Sequence, residues 1–226
     1  MLPYTTVLPK ALLPVGERPI VAILLDQLAA AGVTRVDLCL GYLGELIRAY
    51  FAGSPPPPSV RVKYHHEQIP LGTAGPMSAI GDLDEPFLSL NGDVLTSLDF
   101  GDLLHRHEAS DAALTIAVQQ KETALSMGVI ELDEGRVVSY REKPIALHVV
   151  SLGIYAWDPR ALRYLGAGHA DVPVLVDTLI AAGETVRAYP FSGAWFDIGT
   201  PEEHQVATAD FSSNPTRYIR VPRGSL

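Results

Sequence analysis

The chain has 226 residues, 47% of them apolar and 19% charged, with a formal net charge of −9. This is the composition of a folded protein with one core rather than of a disordered chain, and the acidic balance offers no basic field to a polyanion, which argues against nucleic acid as a partner. The single cysteine, Cys39, rules out an intrachain disulfide or a Cys-based zinc site, and no apolar run reaches the roughly 20 residues of a membrane span, so a cytoplasmic protein is expected.

The opening stretch, MLPYTTVLPKALLPVGERPI, carries four prolines and has no strand in front of it. Pro19 suits a first helical turn, and IVAILLDQLAAAG has an apolar stripe that ends at Gly32, which predicts a helix. RVDLCLGY reads as a buried strand with Cys39 inside it, and GELIRAYFAG as a helix. SPPPPS reads as a stiff exposed loop before the alternating strand VRVKYHHE. His65 and His66, adjacent on that strand, face opposite sides and cannot form a two-histidine metal pair there. PFLSLNGD is a short apolar strand that stops at a turn, followed by the helix LDFGDLLHRHEA and the strand AALTIAVQ. The rhythm is βαβ and predicts a parallel sheet covered on both faces.

From about Met127 the rhythm changes. GVIELDEGRVVSYREKP reads as two alternating strands around Asp-Glu-Gly, a hairpin. VVSLGIYAW is a further strand, Asp158-Pro159 starts a short helix, and VPVLVDTLIAAGE is a longer one. TVRAYPF and AWFDIG form the last strand pair. Thr200 at an N-cap with Glu203 three residues on makes a capping box, with Pro201 at the first helical position.

Asp93 stands at the carboxyl end of a buried strand, where open α/β sheets bind ligands. Asp197 repeats the pattern just ahead of a capped helix. Two such carboxylates converging on one Mg²⁺ suit a phosphate substrate; each alone reads equally as a turn former or cap. In PLGTAGP, Gly72 and Gly75 permit close approach of a planar ring to the main chain, with Thr73 and the peptide groups at its edge, or they serve a plain glycine turn. Glu142 and Lys143, before Pro144, offer a carboxylate for hydroxyls and a cation for phosphate, or else a solvated charge pair.

The ordered set VLPKALLPVGERPI, LGTAG, LNGDV, MGVIELD, YREKP, SLGIYAW and WFDIGTPEE, from about Leu2 to Phe211, resembles the sugar-1-phosphate nucleotidyltransferases, which make nucleoside-diphosphate sugars. The resemblance implies a Rossmann-like α/β/α sandwich with a mixed central sheet and a β-rich sugar-binding insertion. It implies attack by a sugar 1-phosphate on the α-phosphorus of a nucleoside triphosphate, with release of pyrophosphate. Position by position, it gives Lys10 a phosphate-binding role, Asp93 and Asp197 the Mg²⁺, and Leu71, Gly72 and Thr73 the nucleobase, with Gly92 on the nucleotide side. Gly128, Glu142 and Ser151 would face the sugar, and Lys143 its phosphate. In-line phosphoryl chemistry depends on positioning and charge neutralisation, which fits lysines and a metal. The form LGTAG is similar to that of mannose- and heptose-1-phosphate guanylyltransferases, which makes GTP the first expectation; uridylyl enzymes acting on amino sugars share similar motifs.

One departure stands out. The family's glycine-rich loop G-G-x-G-T-R-L, which cradles the triphosphate, is absent from this sequence, and Met1-Leu2-Pro3-Tyr4 corresponds to the residues just after that loop. The strand ahead of the loop lies centrally in the family's sheet, so a slot with unpaired edges is expected. A trimmed chain, a shortened paralogue that binds nucleotide sugars in a regulatory role without catalysis, or a strand supplied by another chain would each account for it. The expected organisation is a nucleotidyltransferase domain over 1–211 and a tail over 212–226, in which VPRGSL resembles part of a cleavable tag. No left-handed β-helix domain is expected beyond Phe211, and homo-oligomerisation is left open.

Overall fold

The structure, a computed structural model, describes residues 4–219. The expectations placed on residues 1–3 and on the tag-like segment 221–226 lie outside the described residues. In chain order the elements are β1 (Pro14–Val15), β2 (Arg18–Pro19), α1 (Ile20–Ala30), β3 (Arg35–Leu40), α2 (Gly44–Gly53), β4 (Arg61–His66), α3 (Gly75–Ala79), β5 (Phe87–Leu90) and β6 (Val94–Thr96). Then come α4 (Phe100–Glu108), β7 (Leu114–Ala124), β8 (Val129–Asp133), β9 (Arg136–Arg141), β10 (Ile145–Trp157), α5 (Val172–Ala181), β11 (Val186–Pro190), β12 (Trp195–Asp197), α6 (Pro201–Ser213) and α7 (Pro215–Tyr218). Short 3₁₀ turns span Tyr4–Thr6, Lys10–Leu12 and Pro159–Tyr164.

The main sheet has the order β11-β7-β10-β5. β11 is parallel to β7, whereas β10 lies antiparallel between β7 and β5. The parallel sheet read from the βαβ rhythm alone is corrected to a mixed one, which is the mixed central sheet that the family resemblance implies. The chain returns from β7 to β10 through the β8–β9 hairpin, which reverses its direction, and only the helical crossovers deliver parallel neighbours. β3 and β4, joined by α2, form such a parallel pair.

Among the described residues β3 has β4 as its only strand partner and β5 has only β10, so no strand bridges the two sheets. Both strands are incompletely covered: all four residues of β5 and all but Leu40 of β3 are half-buried, while β6 is buried throughout.

The two sheets are joined instead by α1, whose residues from Ile20 to Leu25 are all buried. One row, Ile20, Ile23, Leu24 and Leu28, packs in a core with Val94, Leu95, Leu152, Ile154 and Phe211. The other, Val21, Ala22 and Leu25, packs with Leu40, Ile47 and Phe51. A helix apolar on both flanks belongs between two layers. Each of the Ile, Leu and Val side chains in these rows contributes about 1.5–3 kcal/mol of transfer free energy. Gln27 donates from Nε2 to the Thr96 and Tyr218 carbonyls at 2.7 and 2.9 Å, which pins α7 to the core. Tyr218, within the segment expected as tail, is fully buried.

Two local expectations change. Pro19 is the N-cap of α1, with ψ 147°, rather than a residue of its first turn, because its extended backbone completes the β1–β2 pair. Cys39 is half-buried, since its face of β3 carries Arg35 and Asp37 rather than a packed helix. Burial and the nearby Glu67 and Asp37 carboxylates still push its thiol up to about 11, so it stays protonated and unreactive. His65 Nε2 donates to the Asp37 carboxylate at 2.7 Å, while Arg35 pairs with the same carboxylate at 2.7 Å. No helix among the described residues is long and apolar enough to cross a membrane.

Candidate active site

Pro9, extended at φ −64° and ψ 143°, leads into the 3₁₀ turn that starts at Lys10, and buried Leu12 anchors that turn. The turn passes over the loop between β5 and β6: a Cβ on Gly92 would sit 3.6 Å from Ala11. Lys10 Nζ comes within 3.4 Å of Asp93 Oδ2. The next residue, Val94, is the register partner of Asp197, and the Ile198 amide donates to the Asp93 carbonyl at 3.2 Å. Lys10, Gly92, Asp93 and Asp197 thus meet, although they are far apart in sequence.

Burial raises the pKa of the Asp197 carboxyl, and the charge on Asp93 raises it further; Lys10 and Lys121 pull the other way. Lys121, on β7, holds its ammonium 4.5 Å from the centre of the Trp195 ring. Trp195 shares a face of β12 with Asp197 and is fixed by its indole N–H, which donates to the Leu152 carbonyl at 2.9 Å. Sequence reasoning missed Lys121: QQKET reads as an ordinary solvated strand end, and only the crossing of β7 near β12 reveals it. Trp195 lies in WFDIG, two residues from Asp197, and its spacing on a strand is the signal that could have found it.

The loop after Asp197 is fixed by the capping box. Glu203 Oε2 accepts from the amides of Gly199 and Thr200, at 3.2 and 2.9 Å, and Thr200 Oγ1 accepts from the Glu203 amide at 3.2 Å.

A bulge in β10, just after Ser151, brings that strand up to the chain segment before Asp93. The β10–β7 register shifts between Ser151 and Tyr155, and Gly153 sits inside the shift at φ +67°. The Asn91 amide donates to the Gly153 carbonyl at 2.9 Å, and a Cβ on Gly153 would lie 2.5 Å from Asn91 Nδ2. The bulge therefore presses β10 against a residue two positions before Asp93. Ser151 Oγ donates to Tyr155 Oη at 3.2 Å.

Gly128 and Glu142 meet on the β8–β9 hairpin. Tyr140 Oη donates to Glu142 Oε2 at 2.8 Å, and a Cβ on Gly128 would collide with that hydroxyl. Lys143 comes next with φ 44°, in the turn that starts β10.

Leu71, Gly72 and Thr73 form a separate group, packed on the loop before α5. Gly72, φ +77°, has no room for a Cβ, which would lie 2.5 Å from the Ala170 carbonyl. Thr73 donates to Asp171 Oδ1 from its amide and hydroxyl, at 3.0 and 3.2 Å, and accepts from the Val172 amide at 2.9 Å. The Thr73 amide thereby holds the Asp171 carboxyl below the usual range. These glycines meet a need of loop packing, whatever else lies against their open side.

Among the described residues no group of three or more His, Cys, Asp or Glu is placed to hold a metal. Asp93 and Asp197 are a two-carboxylate set of oxygen donors, which suits Mg²⁺ completed by phosphate oxygens and water. The repulsion felt by Asp197 is what a cation between them would relieve.

An α/β sheet whose loops bring paired carboxylates and lysines together is equipped to handle phosphate groups. The chain belongs to the nucleotidyl transferase family, whose sequence profile matches residues 1–213. The mannose-1-phosphate guanylyltransferase catalytic subunit beta of Danio rerio is 30% identical over 209 residues, covering 89% of this chain and 58% of that protein. The mannose-1-phosphate guanyltransferase of Yarrowia lipolytica is 28% identical over 220 residues, 94% of this chain and 61% of its own length. The chain thus spans about three fifths of the curated relatives it matches. Its fold is shared with crystal structures of HddC from Yersinia pseudotuberculosis. One has a TM-score of 0.71 at 22% identity over 90% of each chain. A second, complexed with GMP-PN, has a TM-score of 0.69 at 22% identity, again over 90% of each chain.

Proposed function

We propose that this chain transfers a nucleotidyl group from a nucleoside triphosphate, GTP in the first instance, to a sugar 1-phosphate. A phosphate oxygen of the sugar 1-phosphate forms a bond to the α-phosphorus. The bond from that phosphorus to the bridging oxygen of the β-phosphate breaks, and pyrophosphate leaves with its electron pair. The observation that carries this reading is the meeting of Lys10, Asp93 and Asp197. Guanylyltransferase relatives and the GMP-PN complex of a structural neighbour support the choice of base.

In this reading Lys10 neutralises the transferring phosphate. Asp93 and Asp197 hold Mg²⁺, which when bound would screen the charge of the phosphates. Leu71, Gly72 and Thr73 border the base, with Gly92 beside the phosphates. Gly128, Glu142 and Ser151 face the sugar, and Lys143 its phosphate. A cytoplasmic setting goes with this reading.

The test is pyrophosphate release from each common triphosphate with mannose 1-phosphate and Mg²⁺. GTP is expected to turn over fastest, chelation of the metal to stop turnover, and Lys10→Ala to lower kcat about 100-fold or more. Thermal stabilisation by nucleotide sugars with no turnover on any triphosphate would overturn this reading and favour a nucleotide-sugar-binding protein.

A further inference from the structure

Lysine is scarce in this chain, with four against thirteen arginines. Three of the four are Lys10, Lys121 and Lys143, and the reaction proposed above employs the first and the last. Lys121 has no part in it. Its ammonium lies 4.5 Å from the centre of the Trp195 ring, and among the described residues it joins no ion pair. Its register partner across the ribbon is His148 rather than a carboxylate. Two residues earlier, Gln119 Nε2 donates to the Gly193 carbonyl at 3.0 Å, which ties β7 to the loop ahead of β12 and fixes where Lys121 stands. Its charge reaches Asp197: with Lys10 it opposes the rise in that carboxyl's pKa. Asp197 thus lies in the field of two lysines from different elements. Of the two, Lys10 has a carboxylate of its own, Asp93 at 3.4 Å. Lys121 has an aromatic face instead.

We propose that Lys121 binds the phosphate of the sugar 1-phosphate, exchanging the Trp195 ring for a phosphate oxygen. The assignment rests on the reaction proposed above. There the attacking phosphate lies between the metal carboxylates and the sugar, and β7 runs from one to the other. Lys121 stands beside β12, and Gly128, seven residues later, opens the hairpin. Lys143 enters from the far end of the ribbon. Ile145 pairs with Ala124, and the Leu125 amide donates to the Pro144 carbonyl at 3.2 Å, so Lys143 comes in beyond Ala124. At about 3.3 Å per residue, that is roughly 10 Å or more from Lys121 along the strand. The two lysines therefore approach one phosphate from its metal side and from its sugar side. An exposed ammonium is held more weakly by a ring than by a phosphate oxygen, and Lys121 breaks no ion pair to make the exchange. The need for it is electrostatic. A phosphate dianion must approach a triphosphate held between two carboxylates, and a cation beside its path lowers the repulsion.

The test is a calorimetric titration of the full chain, in Mg²⁺ and a GTP analogue that cannot release pyrophosphate. The ligands are mannose 1-phosphate and glucose 1-phosphate, with mannose as the ligand that lacks the phosphate. Lys121→Met keeps the apolar stem on Trp195 and removes the charge. It is expected to weaken the tighter of the two sugar phosphates about 10-fold or more. Affinity for mannose, affinity for the GTP analogue and the melting temperature should stay as in the parent. Lys121→Arg should restore most of the loss, and Lys63→Met, on β4, should leave binding unchanged. In turnover, Lys121→Met should raise KM for the sugar phosphate and not KM for GTP. A chain that turns over no triphosphate overturns the reaction alone, because the titration reads Lys121 without chemistry. The role of Lys121 is overturned if the parent binds neither sugar phosphate more tightly than mannose, or if Lys121→Met binds both as the parent does. It is equally overturned if the variant loses the GTP analogue to the same degree, if arginine restores nothing, or if Lys63→Met weakens binding as much.

Discussion

Burial and the neighbouring Asp93 disfavour the charged form of Asp197. Because burial and Asp93 raise its pKa in the folded state above the unfolded value, its contribution to stability is present at low pH and is lost as pH rises through the folded pKa. Asp197→Asn is therefore expected to raise the melting temperature near neutral pH while turnover falls about 100-fold or more. Mg²⁺ should stabilise the parent and not the variant, and calorimetry with and without the metal reads both effects. His107 has the opposite sign. It is buried at 2% exposure, with Nδ1 2.8 Å from Thr115 Oγ1, and burial lowers its pKa. The unfolded chain then takes up a proton first as pH falls below its ordinary value near 6.5, so stability is expected to decline on acidification through that window. His107→Gln should flatten this slope in a series of melts. Neither charge effect was legible in the sequence. Asp197 stood out by its place in WFDIG, but its conflict with Asp93 depends on a register between β6 and β12 that spans about a hundred residues.

At the scale of elements, the capping box of α6 was fully legible, because Thr200, Pro201 and Glu203 are fixed offsets on one helix end. It also braces the loop after Asp197. Thr200→Ala should cost about 1 kcal/mol of stability and reduce kcat more than it raises KM for the triphosphate, as titration of rate against substrate would show. β10 was only half legible: it runs from Ile145, not Val149, since IALH alternates as a strand but comes after Lys143-Pro144, which reads as a turn. α7 was missed because four residues carry no periodicity, and its place is set by Tyr218 entering a core built from distant elements. LGTAG was found as a glycine turn, yet its tight fit on the Ala170 loop is a tertiary fact.

At the scale of the whole molecule, the four-stranded sheet and the β3–β4 pair pack on one helix, α1, with β1–β2, β6–β12 and β8–β9 as separate pairs among the described residues. Periodicity revealed the layers but not the strand neighbours, because pairing across the sheet is decided by crossovers whose direction local pattern does not encode. Since no ladder joins β3 to β5 among the described residues, the sheets should open independently. Amides of Val36–Leu40 and Val62–His66 are expected to exchange with solvent faster than those of Leu114–Val118 and Leu152–Trp157. Equal protection across all four segments would show a single cooperative unit instead.

In carpenter's terms, α1 is a dowel between two panels. Its Val21–Leu25 row grips one panel and its Ile20–Leu28 row the other, and the panels share no glue line of backbone hydrogen bonds among the described residues. Swinging one panel about the dowel breaks apolar contacts, each small and gradual, and leaves every ladder whole. Displacing one panel against the other is therefore expected to cost side-chain contacts, those of Leu8 and Val36 on both cores included, rather than ladder bonds.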